Sequence, residues 1–452
     1  MSVTPDLAIV SQRVVKPNGV KPAAVLIKDE KIIDVLNIKD VPNDCPVENV
    51  GNNVVMPGVV DVHVHINEPG RTDWEGFETA TKAACAGGIT TLVDMPLNCI
   101  PVTTTTSALT KKITATQNKL WVNCGFYGGL IPENIDDLGP LSEAGVIGFK
   151  AFMSHSGIDE FPKITERELR SALPILAKYN LPLLVHAEME DETHHGKDLH
   201  SYNSYMATRP KSWENNAIEL LLTLCAEFQT PIHIVHLSSA EMLDEISQAR
   251  ANGLPITVET CPHYLYFSAE NIPSGDTRFK CAPPIRESKN REQLWTGLQS
   301  GIIDFITSDH SPCLPELKKL SEGRFDKAWG GISSIQLTLP IIWSACKDHE
   351  ISLSQLAQWL CSSPANFIGM EESKGQIATG KDADLVCWDP DESFTVKPEM
   401  IHYRHKLTPY NGEQLYGVVK QTYLKGTKIF DYNRFLNGPL GQLLYSNHGN
   451  NR

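Results

Sequence analysis

Val60-Asp61-Val62-His63-Val64-His65-Ile66, entered through Met56-Pro57-Gly58, alternates apolar and polar side chains. That alternation predicts a half-buried β-strand. Residues two apart on a strand share a face, so His63 and His65 project together. Two neutral imidazoles side by side form a fork for a divalent metal ion. An isolated His-x-His equally serves packing or hydrogen bonding, so the pair needs partners from elsewhere in the chain.

Downstream of this stretch, short apolar segments alternate with longer amphipathic ones. Strands are predicted at 59–65, 89–95, 121–127, 146–152, 181–187, 232–237, 256–260 and 302–308. Helical patterns fall between them at 75–86, 166–179, 213–228, 240–251 and 291–298. The second of these opens on a capping box, Thr165 with Glu168 three residues on. Eight strands in alternation predict an α/β fold, a parallel (β/α)8 barrel. An open doubly wound sheet is the alternative, but no Gly-x-Gly-x-x-Gly follows any of the strands.

Both ends of the chain read differently. Residues 7–15 and 23–37 have hairpin texture, broken at Asp29-Glu30-Lys31. Hairpin texture returns after Gly375 and again at 418–430, around Lys425-Gly426-Thr427. The expected partition is 1–56 and 372–452 as one small β-sandwich built from both termini, with 57–371 as the barrel. The polar residues from about Ser446 are expected to be disordered.

Composition narrows the function. The 452 residues are 41% hydrophobic and 21% charged, ordinary globular values. A net charge of -14 disfavours nucleic acid or an anionic membrane as partner and leaves a small neutral substrate acceptable. The opening residues lack the basic and apolar regions of a signal peptide. No run of about 18 apolar residues predicts a membrane span. Eleven cysteines without a Cys-x-x-Cys pair suit reduced thiols in the cytoplasm, with Cys85, Cys225 and Cys346 as helical core filler.

In a (β/α) barrel the strands' C-terminal ends carry the active site. Here those ends read His63-Val64-His65, Gly148-Phe149-Lys150, Val185-His186-Ala187-Glu188, Val235-His236-Leu237 and Ser308-Asp309-His310. Singly, each has an ordinary structural role: a strand-end histidine that is merely hydrogen-bonded, or an aspartate capping the next helix. A lysine inside a barrel needs a partner, because a lone buried ammonium is costly. Together, four histidines, a lysine and an aspartate at five strand ends point to a metal centre.

The same residues resemble the cyclic amidohydrolases of the amidohydrolase superfamily, from about Met56 to Asp384. The likeness rests on the Met56–to–His65 stretch, Gly148-Phe149-Lys150 and Ser308-Asp309-His310. It extends through Asn67-Glu68-Pro69-Gly70-Arg71, Trp74-Glu75-Gly76, Asp94-Met95-Pro96-Leu97-Asn98, Lys280-Cys281-Ala282-Pro283-Pro284 and the tail Lys406-Leu407-Thr408-Pro409-Tyr410-Asn411-Gly412. The resemblance implies two divalent ions, zinc by donor type. His63, His65 and Asp309 would hold one, and His186 and His236 the other. Lys150, carbamylated by CO2, would bridge both. It further implies a hydroxide between the metals as nucleophile, with Asp309 as general base and acid.

The implied reaction is hydrolysis of the ring amide of allantoin to allantoate, by a homodimer or homotetramer. Hydantoinase or dihydropyrimidinase activity on another cyclic ureide is the alternative, and a scaffold without catalysis a third reading. Dihydroorotases usually carry Arg where this chain has Asn67, which cannot neutralise an acidic substrate. Hydantoinases and dihydropyrimidinases usually carry Tyr where this chain has His155, and many relatives have Ser where it has Ala282. Asn98, His155, Ala282 and Gly331 are the expected substrate contacts. His263 is expected to be structural, His194 and His195 to lie on a solvent-facing loop, and the loops after Lys150 and His310 to close over substrate.

Overall fold

Eight short strands follow one another in parallel: β1 (Val59–Val64), β2 (Ile89–Asp94), β3 (Asn123–Phe126), β4 (Phe149–Phe152), β5 (Leu183–His186), β6 (Ile232–Ile234), β7 (Ile256–Thr260) and β8 (Phe305–Ile306). They belong to a computed structural model that describes residues 4–191 and 198–446. One ladder runs β1-β2-β3, and a second runs from Gly128–Gly129, just past β3, through β4 to β8. A parallel bridge between Val64 and His310, with the His65 N–H donated to His310 O at 2.8 Å, brings the last strand back to the first. The predicted (β/α)8 barrel is the observed fold.

β1 is buried at every position rather than half-buried. Helices cover the outer face of a parallel barrel, so the polar alternates face its packed interior instead of water. Close packing at the strand's entry requires the glycine of Met56-Pro57-Gly58, where a Cβ would collide with the Thr90 side chain. β6 and β8 stop short of their predicted ends, and His236 and Asp309 just beyond them take left-handed backbone, with φ of +40° and +42°. Both residues lie at the strand mouths.

The predicted helix Glu166–Tyr179 has its stated bounds, and its capping box forms, with Thr165 N–H donating to Glu168 Oε2 at 2.8 Å. Such a cap contributes about 1 kcal/mol. Phe77–Ala86, Lys211–Phe228, Leu243–Ala251 and Ser288–Gln299 begin two or three residues from the predicted positions. Cys85, Cys225 and Cys346 are buried, as expected of core filler.

Strands from both ends of the chain meet in one nine-stranded, sandwich-like sheet. Its junction is Val54–Pro57, which pairs antiparallel with Leu385–Thr395 and parallel with Leu7–Lys16. Ile9, Val25, Val55, Leu385 and Tyr423 form its apolar core. No helix among the described residues is long and apolar enough to cross a membrane. His194, His195 and the tail beyond Ser446 lie outside the described residues.

Candidate metal centre

The barrel mouth holds a cavity of about 810 Å³. His63, His65, Lys150, His186, His236 and Asp309 all line it, although they come from five strands and are up to 246 residues apart (309 − 63). Parallel register accounts for the convergence. Phe152 pairs with His186 and Lys150 with Leu184, so Lys150 and His186 stand on adjacent strands two positions apart and share a face.

On one side of the cavity, Asp309 Oδ1 stands 3.4 Å from the Nε2 atoms of both His63 and His65. The potential ligand atoms of these three buried residues lie within 4.8 Å of one another. Burial pushes the Asp309 carboxyl up, but the two imidazoles outweigh it and hold the group down at about 2. Burial lowers His65 to about 4. The carboxylate is therefore anionic and the His65 imidazole neutral at pH 7, the states that bind cations.

On the other side, His186 Nδ1 and His236 Nε2 face each other at 3.0 Å. The far nitrogen of His186, Nε2, lies 2.6 Å from Glu188 Oε2, and Glu188 is paired in turn with Arg209. A proton on Nε2 donated to Glu188 leaves Nδ1 bare toward the cavity. Burial depresses both imidazoles, and His236, beside His186 and Lys150, falls well below the usual range.

Lys150 lines the same cavity and is fully buried. Its Nζ has no hydrogen-bond partner and sits 4.9 Å from the centre of the Phe152 ring. Burial lowers its ammonium to about 7, against the opposing pull of Asp309 and Glu259. An orphaned, readily deprotonated amine amid four imidazoles fits a site that binds cations once that amine is converted to an anion. The donor set thus suits divalent metal ions.

Sequence reasoning missed the carboxylates behind the ligands. Glu259, at the end of β7, contacts His63 Nδ1, accepts the His236 N–H at 3.3 Å and lies 3.2 Å from His233 Nε2. Burial raises this carboxyl, but His63 and His233 outweigh it and keep it ionised. Asp61 accepts the Ser308 N–H at 3.2 Å and the His63 N–H at 3.3 Å, joining β1 to the Asp309 turn. The available signal was an acidic residue inside each of two apolar strands, Val60-Asp61-Val62 and Val258-Glu259-Thr260.

The expected substrate contacts separate. Asn98 and Ala282 line the cavity, with Asn98 Nδ2 at 3.4 Å from His65 Nδ1. His155 lies at its exposed rim, its Nδ1 accepting the Gly157 N–H at 3.0 Å. Gly331 stands one residue behind the wall that Gly330 forms, and its N–H is donated to Lys280 O at 2.9 Å. Asn67 is fully buried, donating from Nδ2 to Pro312 O at 3.0 Å, and is not among the cavity-lining residues. His263 is buried with neither ring nitrogen hydrogen-bonded. Trp329, from the loop after β8, packs edge-on against Trp74 at 4.9 Å.

The sequence matches the model of the amidohydrolase family over residues 54–429. It is 46% identical to the allantoinase of Arabidopsis thaliana, over 96% of this chain and 90% of that protein. Identity to the allantoinase of Streptomyces avermitilis is 44%, over 97% and 98% of the two chains. Among solved structures, the L-hydantoinase (dihydropyrimidinase) of Arthrobacter aurescens superposes with a TM-score of 0.91 at 29% identity, covering 98% of this chain and 100% of that one.

Proposed function

The chain belongs to the amidohydrolase family, and from that premise we propose that it hydrolyses the ring amide of allantoin to give allantoate. The observation that carries the reading is Lys150: a buried Nζ without a partner, lining one cavity with His63, His65, Asp309, His186 and His236. Near-complete coverage of relatives named allantoinase supports the substrate.

In this reading His63, His65 and Asp309 would hold one divalent ion and His186 and His236 a second, with Lys150 contributing to both. The neutral Lys150 amine adds to the carbon of CO2 and loses a proton, becoming a carbamate whose two oxygens suit two cations. Zinc matches the imidazole and carboxylate donors. When bound, the ions supply a water of lowered pKa and polarise the substrate carbonyl.

Asp309 would accept a proton from the attacking water and return it to the ring nitrogen as the C–N bond breaks. The water's oxygen stays on the carbonyl carbon, and the product is a carboxylate. Asn98 and Ala282 line the cavity and His155 its rim, and in this reading they receive the ureido arm. Gly331 shapes the wall through its neighbour Gly330.

The partition into a small sheet from 1–56 and 372–452 around a barrel of 57–371 belongs to the same reading, as does assembly into dimers or tetramers. Eleven free, buried cysteines support a reducing compartment, the cytoplasm.

Purified protein assayed against allantoin, hydantoin, dihydrouracil and dihydroorotate, with metal content measured on the same sample, tests the function. Turnover of allantoin with close to two metal ions per chain is expected. Activity confined to dihydrouracil would overturn the substrate assignment, and folded protein that binds no divalent metal would overturn the catalytic reading.

A further inference from the structure

Two motifs of the sequence, Trp74-Glu75-Gly76 and the segment leading into Lys406-Leu407-Thr408, have no part in the chemistry described so far. They meet at His310. From these contacts we infer that Glu75 and His310 form a positioning pair, which holds the turn carrying Asp309 and couples it to the C-terminal segment at Tyr403 and Arg404. The inference rests on the role proposed for Asp309.

His310 is fully buried, and its main chain touches both sides of the site. Its carbonyl accepts the His65 N–H at 2.8 Å, and its N–H is donated to Ser308 Oγ at 3.1 Å. The residue between Ser308 and His310 is Asp309, held in left-handed backbone at φ +42°. Such a conformation is strained in a residue with a side chain and persists only where the surroundings over-determine it. The His310 ring supplies that restraint.

Its Nδ1 accepts the N–H of Ser334 at 3.1 Å, so in the neutral ring the proton is on Nε2. Nε2 faces Glu75 Oε2 at 3.4 Å, an electrostatic contact that falls short of hydrogen-bond alignment. Both are fully buried, so the contact is poorly screened.

Glu75 is itself anchored from the far end of the chain. The Arg404 N–H is donated to its carboxylate at 3.2 Å, and Arg404 Nε to its main-chain carbonyl at 3.3 Å. Tyr403 packs its ring 5.1 Å from that of His310 and donates its hydroxyl to Ser333 O at 3.2 Å. A carboxylate that touches no cavity atom is thereby tied, through one imidazole, to Asp309 and His65.

Two substitutions of His310 separate its two contacts. In His310→Gln the amide nitrogen reaches the position of Nε2 and keeps the donor toward Glu75. In His310→Asn the amide reaches only the position of Nδ1, so the bond from Ser334 survives and the contact to Glu75 is lost. If Glu75 restrains the turn, His310→Asn lowers kcat about 10- to 100-fold with KM nearly unchanged, and speeds metal loss to a chelator by a similar factor. His310→Gln stays within a few-fold of the parent in both, and Glu75→Leu matches His310→Asn.

The chelator readout requires no substrate, so the pair is tested even if the parent protein opens no cyclic ureide. Equal metal retention and equal kcat in His310→Asn and His310→Gln would overturn the pair. Glu75→Leu that behaves like the parent would do the same.

Discussion

His186 Nδ1 and His236 Nε2 face each other at 3.0 Å across adjacent barrel strands, while the outer nitrogen of His186 is taken up by Glu188. One proton at most fits between two such nitrogens. A carboxylate behind His186 fixes its tautomer and leaves Nδ1 as an acceptor toward the cavity, an arrangement that suits a metal site. His63 and Glu259 repeat the arrangement on the opposite side.

Lys150→Ala removes the buried, unpartnered amine that lines the cavity with both groups. Turnover is expected to fall by about 100- to 1,000-fold or more, as when a group that stabilises transition-state charge is lost. Metal content should fall with it. Elemental analysis of the purified variant checks this, and parent-like activity would refute the bridging role.

Glu259→Gln keeps the shape of the side chain but removes the charge that faces His63 and His233. Metal affinity is expected to drop about 10- to 100-fold, the usual cost of losing a partner behind a ligand. Calorimetric titration of the metal-stripped protein measures it.

Asn67→Arg is expected to damage the fold rather than create activity on dihydroorotate. Asn67 is buried, at φ +66°, and donates to Pro312 O. An unpaired guanidinium there should cost about 3 kcal/mol. A clear fall in the thermal midpoint with no dihydroorotate hydrolysis is the expected result. A stable variant that hydrolyses dihydroorotate would show the position does face substrate.

Glu168 ties one element of stability to acid pH. Burial raises its carboxyl, but the Thr165 hydroxyl and N–H and the Arg167 guanidinium outweigh it, and the group falls from 4.5 to about 2. A depressed carboxyl stabilises the fold above its unfolded value, and that contribution fades as pH falls from 4.5 toward about 2. In Glu168→Gln that part of the pH dependence should vanish. Urea unfolding of both proteins between pH 5 and pH 3 (about the window where the two states differ in bound protons) compares the slopes.

Much of this protein is legible without coordinates. Strand and helix periods differ, so eight strands interleaved with helical patterns predict the barrel, and strand ends place His63, His65, Lys150, His186, His236 and Asp309 at one mouth. The hairpins at both ends are likewise local patterns, and they form strands of a single sheet.

What the sequence left open depends on partners distant along the chain. Asn67 turns into the core and His155 to the rim, because backbone angles set at each position decide which way a loop side chain points. Asp61, Glu259 and Glu188 are unremarked acids until register sets each beside an imidazole or a turn N–H. Glu75 lies 235 residues from His310 (310 − 75) and 329 from Arg404 (404 − 75), yet it touches both. Periodicity is a property of neighbours in sequence and survives in the string. Which buried charge answers which is a property of neighbours in space, and only the closed barrel brings them together.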